Sequence, residues 1–106
     1  MNDSELLNAA AKAAIGAGMP LHYGPHALQP EPHWQHGADE WRPLADDGDA
    51  LRLAVKTGEP FVVRTSCVTT MGGLKEDFDP LVPGDDLRAT RRVIVRAAAK
   101  IGKTIE

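Results

Sequence analysis

The sequence predicts a small α+β domain: three helices packed on a small antiparallel sheet, in the order helix, short hairpin, helix, strand or strands, helix. Three observations carry this expectation. Apolar residues recur at helical spacing in SELLNAAAKAAIGAG, in DDGDALRLAVKTG and in DDLRATRRVIVRAAAKIG. Between the second and third of these stands PFVVRTSCVTT, a β-branched run suited to a pleated surface. The 106 residues fit a single domain, 1–106, and with 5% aromatic residues its core must rest on Leu, Val, Ile and Ala.

The first helix is expected over residues 4–16. Six of the nine residues from Ala9 to Ala17 are alanine, the strongest helix former. Asp3 or Ser4 is the expected cap and Gly16 and Gly18 the stop. Residues 19–40 carry four prolines. Each removes a backbone donor, so an irregular hairpin or loop is expected there, with MPLHY and HWQ as short strands. The second helix is expected over 47–57, capped by Asp46 or Asp47, ended by Gly58, and burying Ala50, Leu51, Ala54 and Val55, with Leu44 also in the core. PFVVRTSCVTT reads as one strand, and Leu74–Phe78 as a short returning strand after a turn at Gly72-Gly73. The last helix is expected over 86–101, capped by Asp85 or Asp86. Its Leu87, Ile94, Ala97, Ala98 and Ile101 share one arc, and Arg88, Arg92, Arg96, Lys100 and Lys103 the opposite one.

Composition removes several classes of function. Cys67 is the one cysteine, so neither an internal disulfide nor a CxxC metal site can form, which fits a reducing cytoplasm. MNDSELLNAA is acidic and polar where a signal peptide is basic and then apolar, and no apolar run approaches a membrane span. The expected setting is therefore cytoplasmic, without membrane association. The net charge of −3 conceals an asymmetry: residues 88–106 hold six basic residues and one acid, whereas the rest of the chain is acidic. A basic terminal segment on an acidic body either binds an anionic partner or pairs with the body itself.

Each candidate site has a competing structural reading. His22, His26, His33 and His36 are weak metal candidates, because their spacing matches no zinc pattern; no metal and no cofactor is expected. Asp46, Asp47 and Asp49 fail the calcium-loop template, since the glycine stands third and the twelfth position is Thr57. A helix start, where carboxylates meet free N–H groups, accounts for them better. Cys67 has no histidine near it in sequence and reads as an inert thiol. No phosphate loop and no Ser-His-Asp order stands out, so no catalytic residue is assigned and no enzymatic activity is expected. The basic stripe is the best binding candidate: Arg88, Arg92, Arg96 and Lys100 are positioned to meet phosphates or an acidic partner. A solvated face, or pairing with Asp85, Glu76 and Asp77, is the structural reading that outweighs it. No aromatic residue interleaves with the stripe, which argues against single-stranded nucleic acid. Trp41 is expected in the core, and Trp34, in the loop, reads as a local hydrophobic lid or, alternatively, as a partner contact.

Three stretches, ELLNAAAKAA, WRPLADDGDALRLAVKTG and LRATRRVIVRAAAKIGK, resemble a family of small proteins encoded by tailed phages and prophages, nearest to the NinX-like group of lambdoid phages. Pro43-Leu44, Asp47-Gly48-Asp49-Ala50 and Leu87-Arg88-Ala89 follow that family's order, over about half of the chain; residues 19–40 and 70–84 depart from it. The resemblance implies a phage-derived accessory protein and transfers no catalytic residue. The expected function is binding of a host or phage macromolecule, a protein before a nucleic acid. A small anionic ligand such as a nucleotide, met by Arg88, Arg92 and Arg96, is the alternative, and a small hydrolase ranks last.

Overall fold

Alanine supplies most of the first helix and also decides how it packs. In the computed structural model, which describes residues 2–26 and 29–104, α1 spans Asp3–Gly16 and buries Leu6, Ala9, Ala10, Ala11, Ala13 and Ala14. It packs chiefly on the C-terminal helix α3 (Asp85–Gly102), whose buried residues include Ala97, Ala98, Ala99 and Gly102. Small side chains let two helix backbones approach closely. At the tightest point a Cβ built on Gly102 would lie 1.7 Å from the carbonyl oxygen of Ala9. A side chain there would force the backbones apart, so glycine is strongly favoured at this position. The cap of α1 is Asn2, whose Oδ1 accepts from the Glu5 N–H at 2.8 Å, one residue earlier than the expected Asp3 or Ser4.

The three helices and the α+β class are as expected, but the strands divide into two three-stranded antiparallel sheets where one was expected. The first is the proline-rich region: β1 (Leu21–His26), β2 (Gln29–His36) and the two-residue β3 (Asp39–Glu40). It is longer and more regular than the expected loop. Pro20, Pro25, Pro30 and Pro32 remove donors, and the ladder accommodates this with a register shift between Gly24 and His26. Trp34 Nε1 donates to Asn8 Oδ1 at 2.9 Å and fastens this sheet to α1.

The second sheet contains β4 (Phe61–Val63), β5 (Cys67–Thr70) and β6 (Lys75–Asp77). The run expected as one strand is folded back on itself, with Phe61 opposite Thr70 and Val63 opposite Val68. The turn between them closes with Arg64 N–H on the Cys67 carbonyl at 2.8 Å. No described non-glycine residue has a positive φ, so Thr65 and Ser66 make this turn without the Asn-Gly or Gly-Gly signal of the usual two-residue hairpin. The turn expected at Gly72-Gly73 is present, with Gly73 at φ 89°. Along β5, Val68 and Thr70 are buried and Cys67 and Thr69 half-buried.

α2 (Asp47–Thr57) closes the domain against α3, and α3 also meets β5 and β6. α3 is therefore buried on more than the one arc its periodicity suggested: Ala89, Val93 and Val95 are enclosed along with Ile94, Ala97 and Ala98. Leu87, expected inside, is 49% exposed, and Ile101 is half-buried. The N-cap of α3 is Gly84 at φ 81°, not Asp85 or Asp86. Asp85 is engaged elsewhere: its carboxylate accepts from the Asp79 N–H at 2.8 Å and from Arg88 Nε at 2.6 Å, holding the preceding loop to the helix.

Gly102→Ala tests the helix contact. Forcing a methyl group into a close-packed backbone contact costs about 1–3 kcal/mol, and the upper part of that range is expected because the neighbour is backbone and cannot rotate away. Urea unfolding should show a lower midpoint; an unchanged midpoint would mean that the two helices separate without loss.

Candidate functional site

The stretch DDGD begins α2, and every acid in it has a structural partner. Asp46 is the N-cap, its Oδ1 accepting from the Asp49 N–H at 2.9 Å. Asp49 is 6% exposed. One of its carboxylate oxygens accepts from the Arg42 N–H at 2.9 Å and the other from Arg52 at 2.6 Å. Asp47 meets Arg91 of α3 at 2.6 Å, and the same Arg91 donates to the Leu44 carbonyl at 3.0 Å. Gly48 leaves room for this arrangement: a Cβ there would stand 3.2 Å from Asp46 Oδ1 and 3.4 Å from the Arg52 guanidinium. The cluster is a helix latch, and Trp41, 2% exposed, and the buried Pro43 pack immediately before it.

The latch sets which way α2 faces. Asp49 and Leu53 lie one turn apart, as do Ala50 and Ala54, and these four form the buried arc. The expected arc included Leu51 and Val55. They are instead 58% and 71% exposed, because turning Asp49 inward to reach Arg42 rotates them outward. Leu44 is half-buried against the core. Both exposed side chains border one groove, and Leu51 also borders a second depression. On one side is a groove of about 440 Å³ lined by Met19, Pro20, His36, Leu51, Arg52, Val55 and Lys56. On the other is a depression of about 200 Å³ where Leu51 meets Phe61, Leu87 and Ile94. The periodicity contained this surface in latent form, since the apolar arc of α2 is wider than the face one neighbour can cover.

The basic stripe of α3 is mostly paired with the protein's own acids. Arg88 binds Asp85, and lies 3.8 Å from Glu76. Arg92 meets Asp3 at 3.1 Å and Glu76 at 3.7 Å. Arg96 meets Glu76 at 2.6 Å and donates to the Lys75 carbonyl at 2.9 Å. Glu76, in β6, thus anchors three arginines. The hydrogen bond from Arg88 holds the Asp85 carboxyl below its usual range and in turn raises the Arg88 guanidinium. Lys100 and Lys103 are exposed and have no acid within 4 Å among the described residues. Arg92, Arg96, Lys100 and Lys103 share a groove of about 310 Å³ with Leu6, Leu74 and Ala99.

Trp34 is half-buried, tilted 55° against Tyr23 with ring centroids 5.2 Å apart. Its indole N–H is already committed to Asn8. Among the described residues no group of three or more His, Cys, Asp or Glu stands together as a metal site requires. His22 and His36 occupy β1 and β2, the ring of His33 bonds the Glu31 carbonyl at 2.8 Å, and the side chain of His26 lies outside the described residues. Cys67 is half-buried and stands opposite Asp77 in the sheet. No described helix is long and apolar enough to cross a membrane. No protein-family model, curated protein or solved structure matches the chain, so the site is read from its own geometry.

The cap carries a pH dependence. The backbone hydrogen bond from Asp49 lowers the Asp46 carboxyl below its ordinary 3.8. A carboxyl depressed in the folded state stabilises the fold above its unfolded value, and that contribution is lost as pH falls through the folded value. Acidifying the wild type below about pH 4 should therefore lower its urea midpoint. Asp46→Asn, which keeps an acceptor but cannot titrate, should respond less steeply over the same interval. Parallel acid profiles for the two proteins would dismiss the Asp46 contribution.

Proposed function

We propose that the protein is a binding module, and that its docking surface is the exposed apolar face of α2, occupied by an acidic amphipathic segment of a partner protein. The observation that carries this reading is the exposure of Leu51 and Val55 one helical turn apart above a 440 Å³ groove. Side chains at i and i+4 present the ridge into which a second helix packs. Covering two such side chains is worth on the order of 2–3 kcal/mol, allowing for the area already buried. That supports a reversible complex once the flanking, exposed Pro20 contributes.

Charge selects the occupant. Arg52, Lys56 and His36 border the larger groove, and among the described residues no acid lines it. Arg52 is bound to Asp49 yet 54% of its side chain is exposed, and Lys56 is exposed. An apolar ridge flanked by carboxylates complements this rim, and a basic amphipathic helix is repelled by it. A second copy of the chain fits less well, because it would bring the same basic rim against itself. The resemblance to phage-encoded proteins supports an accessory role in which this partner is a host or phage protein.

A synthetic amphipathic peptide with leucines at i and i+4 and glutamates beside them, and a lysine counterpart of the same length, provide the test. In an NMR titration the acidic peptide should shift amides of α2 and residues 18–20, and the basic one should not. Leu51→Asp and Val55→Asp together should abolish the shifts and, being surface changes, alter stability by no more than about 0.5 kcal/mol each. Equal binding of both peptides, or shifts confined to other elements, would overturn the proposal, as would self-association that the double variant abolishes.

A further inference from the structure

We infer that the groove beside the C-terminal end of α3 is a second, independent site, which takes an organic polyphosphate of mononucleotide size. It is separate from the α2 surface: its walls are Arg92, Arg96, Lys100 and Lys103, and its apolar lining is Leu6, Leu74 and Ala99. Charge on this face is incompletely matched. Among the described residues the cations Arg88, Arg92 and Arg96 pair with the acids Glu76, Asp85 and Asp3, and Lys100 and Lys103 have no acid within 4 Å. The unmatched positive charge on this part of the face falls on Lys100 and Lys103.

Two local features oppose an anion there, and neither is large enough to cancel the surplus. The C-terminus of a helix carries about half a negative charge, which falls off within a turn and is screened by salt. Glu59 borders an adjoining depression with Lys100 but forms no ion pair with it. The two lysine ammoniums, three residues apart on one turn, are left to meet phosphate oxygens. Arg96, fixed by Glu76 and the Lys75 carbonyl, presents the rest of its guanidinium without needing to be ordered. Leu74, half-buried, offers the body of a ligand a small apolar contact, while Leu6 and Ala99 behind it are almost fully covered; among the described residues no aromatic ring lines the groove, so selectivity rests on the phosphates and discrimination among bases is weak. The volume, about 310 Å³, stands at the lower end for small-molecule sites, which favours a mononucleotide over a polymer.

Calorimetry at low salt with ATP, inorganic tripolyphosphate, adenosine and a single-stranded oligonucleotide tests the site. ATP should bind, tripolyphosphate more weakly, and adenosine not measurably. Lys100→Ala with Lys103→Ala should weaken ATP binding at least about tenfold, the expected loss for two charged phosphate contacts, while Lys100→Arg with Lys103→Arg retains it. Arg64→Ala, which removes an exposed charge in the turn between β4 and β5, should leave ATP binding unchanged. The site is refuted if ATP does not bind at millimolar concentration, if the double alanine variant binds as the wild type does, or if the oligonucleotide binds more tightly than ATP through the same lysines. Both lysines are exposed, so the circular dichroism and Tm of the variants should match the wild type.

Discussion

The close approach of α1 and α3 at Ala9 and Gly102 is the constraint on which the rest of the molecule depends. Helices that touch at the backbone need small residues along both faces, and the chain places alanine there on each. Alanine gives little apolar area per residue, so such a pair gains most of its stability from dispersion between well-packed atoms. The same closeness leaves no space between the helices for large side chains. The bulkier core residues Leu53, Val68, Val93, Val95 and Trp41 are therefore contributed largely by the other contacts of α3, with α2 and the second sheet, and by the segment leading into α2. A chain with so few aromatic residues can build its core this way only if one helix is enclosed from several sides, and α3 is that helix.

A polar latch then orients the remaining helix. Burying Asp49 removes a carboxylate from water, which is costly unless its oxygens are bonded. Arg42 N–H and Arg52 supply those bonds, and through them the chain entering α2 is tied to the helix's own first turn. Asp47 and Arg91 tie that turn to α3. The geometry of the latch has a consequence beyond stability. It settles the rotation of α2 about its axis, and in doing so it leaves two large apolar side chains in solvent. Rotating the helix to bury Leu51 and Val55 would turn Asp49 into solvent and break its bond from the Arg42 N–H. A hydrogen bond to a charged group contributes about 1.5–3 kcal/mol, comparable with what burying the exposed parts of those two side chains would return.

Helices were legible in the sequence because period, caps and stops agree locally: the alanine run, the aspartates before α2 and Gly58 after it all point the same way. What the sequence could not convey was which of several apolar arcs would be covered. Leu51 and Val55 satisfy helical spacing as well as Leu53 and Ala54 do, and the bond from the Arg42 N–H to Asp49, which no periodicity reveals, separates them. The turn at Thr65-Ser66 was hidden for a local reason: it uses ordinary φ values and residues that also suit strands. The proline-rich region read as a loop because each proline counts against a ladder, yet a short antiparallel ladder tolerates missing donors where a bulge absorbs them. The basic stripe was placed correctly on α3. Its partners were partly visible, since Glu76 and Asp85 were named as acids in reach, but Asp3, from the other end of the chain, was not.

The division between arginine and lysine on that stripe follows from their chemistry. Arg88, Arg92 and Arg96 each make more than one directed contact, to carboxylates and, in Arg88 and Arg96, also to carbonyl oxygens of Asp77 and Lys75. A planar fork of donors suits that task, and a single ammonium does not. Glu76 is the common acceptor, and because its side chain is only 18% exposed, these pairs are less screened than those on an open surface. The arginines therefore act as clasps that hold β6 and the 79–85 loop on the helix, which is why they offer little unmatched charge to a ligand. Among the described residues Lys100 and Lys103 have no acid within 4 Å. A planar fork of directed donors has no carboxylate to clasp there, and a compact, strongly hydrated ammonium suits such an exposed position better.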